Sequence, residues 1–80
     1  MAPPKLPVVS GRELVKFFQT HGFKEVRQRG SHIIMGKAGS NRPLVIPEYR
    51  EVPANIILSN LRTAGISRKD FIAALQKRKK

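Results

Sequence analysis

Residues Phe23-Lys24-Glu25-Val26-Arg27-Gln28-Arg29-Gly30-Ser31-His32-Ile33-Ile34-Met35 decide how this chain folds. Phe23 to Gln28 mixes Phe and Val with charged side chains, the composition of a half-exposed strand. Arg29-Gly30 reads as a tight turn, because glycine enters positive φ at no steric cost. Ser31 to Met35, carrying Ile33 and Ile34, reads as a second strand. Gly36 to Pro43 holds Gly, Ser, Asn and Pro and predicts a longer loop. Leu44-Val45-Ile46 is a third strand, stopped by Pro47. Three successive strands with short links predict an antiparallel meander.

Helical patterns flank the meander. Ser10 and Glu13 have the spacing of a capping box. Leu14, Phe17 and Phe18 follow at helical spacing, and Gly22 supplies a left-handed stop. The first helix is therefore predicted over about Gly11 to His21. After the meander, Pro53 suits the first position of a helix, where its missing N–H costs nothing. Ile57, Leu61 and Ala64 share one face, and Gly65 ends the element. Ser67 and Asp70 offer a further N-cap, and Phe71, Ala74 and Leu75 mark a short third helix. Residues 1–9, with three prolines, read as an extended arm, residues 10–76 as a single domain and residues 77–80 as a basic tail. The predicted fold class is α+β: a helix, a three-stranded antiparallel meander, a helix, and a short C-terminal helix. Helices on one face of such a sheet cover its apolar side, an arrangement shared with double-stranded-RNA-binding domains. Leu14, Phe18, Val26, Leu61 and Phe71 are the expected core.

A chain of 80 residues buries a small core, so a functional site should be a shallow surface groove. Lys and Arg number 16 against 5 Asp and Glu, a net charge of +11. Such an excess favours polyanionic partners. A membrane-surface helix would need bulky apolar anchors, but the chain has no Trp and its apolar residues are required for its own core. Nucleic acid is the better reading, with no membrane partner. The absence of cysteine excludes disulfides and thiolate metal sites. The first residues hold no apolar run fit for a signal peptide, and no stretch has the length of a bilayer span, so a cytoplasmic protein is expected. No Asp or Glu stands at ligand-like spacing from His32, and Gly36-Lys37-Ala38-Gly39 lacks the pattern of a phosphate-binding loop. Neither a metal nor a cofactor is expected.

Two histidines are present. His21, at the predicted end of the first helix, meets the negative end of the helix dipole and reads as a capping residue. His32 stands beside a turn, with Arg27 and Arg29 close in sequence. RNA cleavage can use the RNA's own 2′-hydroxyl as nucleophile. The protein then needs a proton acceptor that works near neutral pH, usually His, and cations that stabilise the phosphate as charge develops. His32 is therefore the candidate catalytic residue, and Arg27, Arg29, Ser31 and Lys37 are the candidate RNA- and phosphate-binding residues. Ser10, Ser31 and Ser40 carry little weight as nucleophiles, since a buried acid–His–Ser arrangement needs a larger scaffold. The tail Lys77-Arg78-Lys79-Lys80 would add non-specific phosphate affinity. The same basic surface also fits a non-catalytic RNA-binding module of the same fold. A DNA-binding regulator fits less well, because Ile56, Ile57, Leu58 and Leu61 leave the second helix few side chains to read base edges.

The segment Arg27-Gln28-Arg29-Gly30-Ser31-His32, after a capped helix and Gly22-Phe23, resembles the HicA family of toxins. So do Leu44-Val45-Ile46-Pro47 and Leu61-Arg62-Thr63-Ala64-Gly65-Ile66. The resemblance runs from about Ser10 to Leu75. It implies an endoribonuclease that cleaves mRNA and arrests growth, inhibited by a HicB-type antitoxin, with the catalytic histidine at His32. The chain departs from the family at three places. Ile33 stands where a second histidine is frequent, Pro47-Glu48-Tyr49 where Pro-x-His is frequent, and Asn55-Ile56-Ile57 in place of Gly-Thr-Leu. The proton for the leaving group would then come from Tyr49 as an auxiliary acid, from a lysine or from water.

Overall fold

The computed structural model describes residues 6–78. Residues 1–5 of the predicted arm and residues 79–80 of the predicted tail lie outside the described residues. The elements follow in the order α1 (Gly11–Gln19), β1 (Lys24–Arg29), β2 (His32–Gly36), β3 (Leu44–Pro47), α2 (Ala54–Ala64) and α3 (Arg68–Arg78). The strands form one antiparallel sheet in the order β1-β2-β3. This is the predicted α+β meander flanked by helices.

Local chemistry sets the helix ends. The Ser10 hydroxyl accepts from the Glu13 N–H at 3.1 Å, and the Glu13 carboxylate accepts from the Ser10 N–H at 2.8 Å, completing the capping box. At the other end of α1, the Gly22 and Phe23 N–H groups bond the Gln19 and Phe18 carbonyls, both at 3.1 Å. α2 closes in the same way, with Gly65 and Ile66 bonding Arg62 and Leu61 at 3.2 and 3.0 Å. The Ser67 hydroxyl caps α3 by accepting from the Asp70 N–H at 3.0 Å. α3 continues to Arg78, so Lys77 and Arg78 are helical.

Alternation puts Ile33 and Met35 of β2, with Leu44 and Ile46 of β3, on one face of the sheet. There they join Leu14, Phe17 and Phe18 of α1, Ile57 and Leu61 of α2, and Phe71 and Leu75 of α3 in one core. The Phe17 ring stands edge-to-face to Phe71 at 5.0 Å and 80°. Such a pair adds about 0.5–1.5 kcal/mol beyond area burial. Phe71 thus ties α3 to α1. Val9 is only 2% exposed, and its carbonyl accepts from the Val52 N–H at 2.9 Å.

Four of the five expected core residues are buried: Leu14, Phe18, Leu61 and Phe71. Val26 is not; it is 65% exposed. The register slips between Glu25 and Arg27, where β1 holds a β-bulge. Strict alternation from Gln28, opposite the buried Ile33, would have turned Val26 toward the helices. The bulge adds one residue and sends Val26 to the other face, where its Cγ2 lies 3.1 Å from the position a Cβ on Gly36 would take.

Both sheet edges are controlled. On β3, the Val45 N–H donates to the Asn60 side-chain oxygen at 3.3 Å, and the Asn60 amide donates to the Val45 carbonyl at 3.0 Å and the Ile56 carbonyl at 3.1 Å. Asn60, 7% exposed, therefore occupies the place a fourth strand would take. On β1, every residue is exposed, and charged side chains and the bulge guard the edge.

Candidate functional site

Because Ile33 and Met35 face the helices, His32, Ile34 and Gly36 face the opposite way, onto a sheet surface that no helix among the described residues covers. The register sets their neighbours. His32 lies between Arg29 of β1 and Pro47 of β3, Ile34 between Arg27 and Val45, and Gly36 is opposite Lys24. Side chains directly opposite across strands have Cβ atoms about 4.5–5.5 Å apart. The structure therefore brings Arg29 beside His32 and sets Arg27 one diagonal step away. All three side chains are exposed.

Gly30-Ser31 is a two-residue loop between the paired Arg29 and His32. Gly30 has φ 59, and Ser31 does not take positive φ, the pattern of a type II′ hairpin with glycine at the first central position. The expected turn is present, shifted by one residue, so that Ser31 sits in the turn and His32 opens β2. A two-residue turn holds His32 at the very end of the ladder, where a long polyanion can reach it.

Glu48, which sequence reasoning missed, holds this turn. Its backbone N–H donates to the Ser31 carbonyl at 2.6 Å. Its carboxylate accepts from the Gln28 amide at 2.9 Å, and the same Gln28 nitrogen donates to the Gly30 carbonyl at 3.1 Å. Arg12 of α1 completes the group, with Nε and Nη2 at 2.8 and 2.6 Å from Glu48 Oε2. One carboxylate thus links α1, β1, the hairpin turn and the end of β3. α1 comes so close here that a Cβ on Gly11 would collide with the Pro47 carbonyl. The one signal for Glu48 in the sequence is an acid next to Pro47 in a chain poor in acids.

The remaining predicted residues are spread further. Tyr49 follows β3 at the His32 end, 46% exposed, with its carbonyl accepting from the Gly11 N–H at 2.9 Å. Lys37 is not gathered with His32. It follows the opposite end of β2, and its ammonium lies 5.4 Å from the centroid of the Phe23 ring. Ile33 points into the core, so that departure takes nothing from the His32 face. Among the described residues, no three His, Cys, Asp or Glu side chains gather as a metal-ligand set, and no helix is long and apolar enough to cross a membrane.

Residues 11–66 match the family described as the HicA toxin of bacterial toxin-antitoxin systems. The chain belongs to the HicA toxin family. The matched span holds α1, the whole sheet and α2, and ends before α3. Among solved structures, the chain is similar to one described as a toxin-antitoxin complex from Streptococcus pneumoniae. It is 32% identical to that chain with a TM-score of 0.65, over 72% of this chain and 98% of that one. No curated protein matches it. The HicA-family span, residues 11–66, contains His32, Arg27, Arg29 and Glu48.

Proposed function

We propose that this HicA-family chain is a toxin that cleaves mRNA as a metal-independent endoribonuclease, with His32 as its general acid–base. The observation that carries the reading is an exposed histidine paired across the ladder with Arg29, on the uncovered face of a strongly basic HicA-family fold. The His32 imidazole accepts the proton of a ribose 2′-hydroxyl. The 2′-oxygen attacks the adjacent phosphorus, and the bond from phosphorus to the 5′-oxygen breaks. The products are a 2′,3′-cyclic phosphate and a 5′-hydroxyl. Arg29 and Arg27 hold the phosphate oxygens as charge develops on them. Tyr49, exposed at the same end of the sheet, is the proposed source of the leaving-group proton. The nearby acids are engaged by protein partners, Glu48 by Arg12 and Gln28, and Glu25 by Arg12 at 3.6 Å. This favours a reaction carried by side chains over one carried by a metal. The proposed partner in the cell is a HicB-type antitoxin, in keeping with the family and with the toxin-antitoxin complex that the fold resembles.

The test compares the parent with His32→Ala and His32→Gln on labelled single-stranded RNA, with and without EDTA. Loss of a general base costs about 10²–10⁴ in rate. Both variants should lose cleavage by that factor while keeping circular dichroism and RNA affinity, and EDTA should leave the parent's rate unchanged. Variants that cut like the parent would move the reaction away from His32. A parent that binds RNA and never cuts it would instead identify an RNA-binding module.

A further inference from the structure

The uncovered face continues past His32 to the far end of β2, and β1 lines it with cations. Strict alternation along β1 would put Arg29, Arg27 and then Glu25 on this face. The bulge between Glu25 and Arg27 changes the parity. Glu25 is opposite the buried Met35, on the helix side, 3.6 Å from Arg12. Lys24 takes the place on the open face, opposite Gly36. The bulge thus removes an acid from the basic track and puts a cation there. Where the track ends, a cleft of about 580 Å³ opens between β1 and the loop 37–43. Lys24, Lys37 and Arg42 line it as cations, Val26 and Pro43 as apolar surface. Its one acidic lining residue is Glu25, already facing Arg12. Gly36 leaves its floor free of a side chain, with Val26 exposed beside it.

We infer that this cleft is a second subsite for single-stranded RNA, which grips the strand away from the bond that is cut. The inference rests on the reading that RNA is the substrate. Gly36 stands four residues from His32, about 13 Å along the strand at about 3.3 Å per residue. RNA therefore runs over Arg29, Arg27 and Lys24, and the cleft receives a nucleotide a few positions from the reacting phosphate. Lys24, Lys37 and Arg42 contact its phosphate, and Val26 with Pro43 contacts its ribose or base. Phosphate contacts position a strand without reading its sequence. A grip that holds the strand equally in ground and transition states lowers KM and leaves kcat alone.

The test uses the full chain and a Lys24→Gln, Arg42→Gln double variant, whose altered positions are both exposed. Single-stranded RNA oligonucleotides are shortened stepwise from each end. Affinity is read by fluorescence anisotropy and cutting by gel. In the parent, affinity should rise by about tenfold in one step once the RNA is long enough to reach the cleft. The double variant should lack the step, keep the parent's kcat on the shortest cleavable RNA, and flatten the salt slope by about 1.4, at about 0.7 per phosphate. A parent without a length step overturns the subsite. So does a variant that weakens all lengths equally or lowers kcat on the shortest RNA. If the step is present in the parent, absent in the variant, and neither protein cuts, the subsite stands and the ribonuclease reading fails. If both cut and neither shows a step, the ribonuclease reading stands and the subsite fails.

Discussion

At the scale of single residues, His32 can be no better placed than the turn that carries it, and Glu48 holds that turn. Its bonds to Arg12 and Gln28 lie at the surface, the two partners of the ion pair being 55% and 34% exposed by side chain. Exposed pairs contribute about 0–1 kcal/mol, so the value of Glu48 lies in geometry. Glu48→Ala should leave the melting temperature within a few degrees of the parent but lower kcat about tenfold, because an error of about 1 Å in a positioned group can cost 10²-fold. Glu48→Gln retains an oxygen that accepts from Gln28 and should recover most of the rate. Equal loss of stability and activity in both variants would reduce Glu48 to a folding role. Thermal melts and single-turnover cleavage, run side by side, distinguish these outcomes.

At the scale of elements, the two edges of the sheet are treated differently. β1 is long, charged and bulged, and its exposed face forms the proposed RNA track. β3 is short, and the amide of Asn60 closes its edge. Asn60→Ala would leave the Val45 N–H and carbonyl without those partners. An unsatisfied, partly buried polar group costs about 1–3 kcal/mol. In a domain of this size each kcal/mol corresponds to about 4–8 °C. The variant should therefore melt several degrees lower and aggregate more readily through the opened edge. A melting temperature equal to the parent's would show that water replaces Asn60 without loss. Because β3 supplies Pro47 beside His32, the same change should broaden the His32 resonances in an NMR spectrum.

For the whole molecule, the decisive quantity is a net charge of +11 on 80 residues. A toxin whose proposed reactive face is open and basic is best silenced by an acidic surface laid across it. The proposed antitoxin should therefore associate quickly at low salt and markedly more slowly as salt rises, since complementary charge acts chiefly on encounter. Stopped-flow association across a salt series measures this. A rate insensitive to salt would point to apolar docking instead. In the complex, hydrogen exchange should slow along β1 and β2 rather than along α3.

The amino-acid sequence alone determined whatever depends on neighbours in the chain. The Ser10–Glu13 box, the glycine stops at Gly22 and Gly65, the Gly30 turn and the periodicities of helix and strand are interactions across a few residues. All of them, with the α+β order and the place of His32 beside a turn, were readable from residue types and spacing. Tertiary structure decided what depends on register and on distant partners. A single inserted residue in β1 moved Val26 out of the core and exchanged Glu25 for Lys24 on the open face; bulges depend on how strands pair, and no composition signal marks them. The tether of Glu48 to Arg12 spans 36 residues and that of Asn60 to Val45 spans 15, so neither has a local signature. The separation of Lys37 from His32 has the same origin, because the length of a strand between two side chains becomes a distance only once the strand is extended.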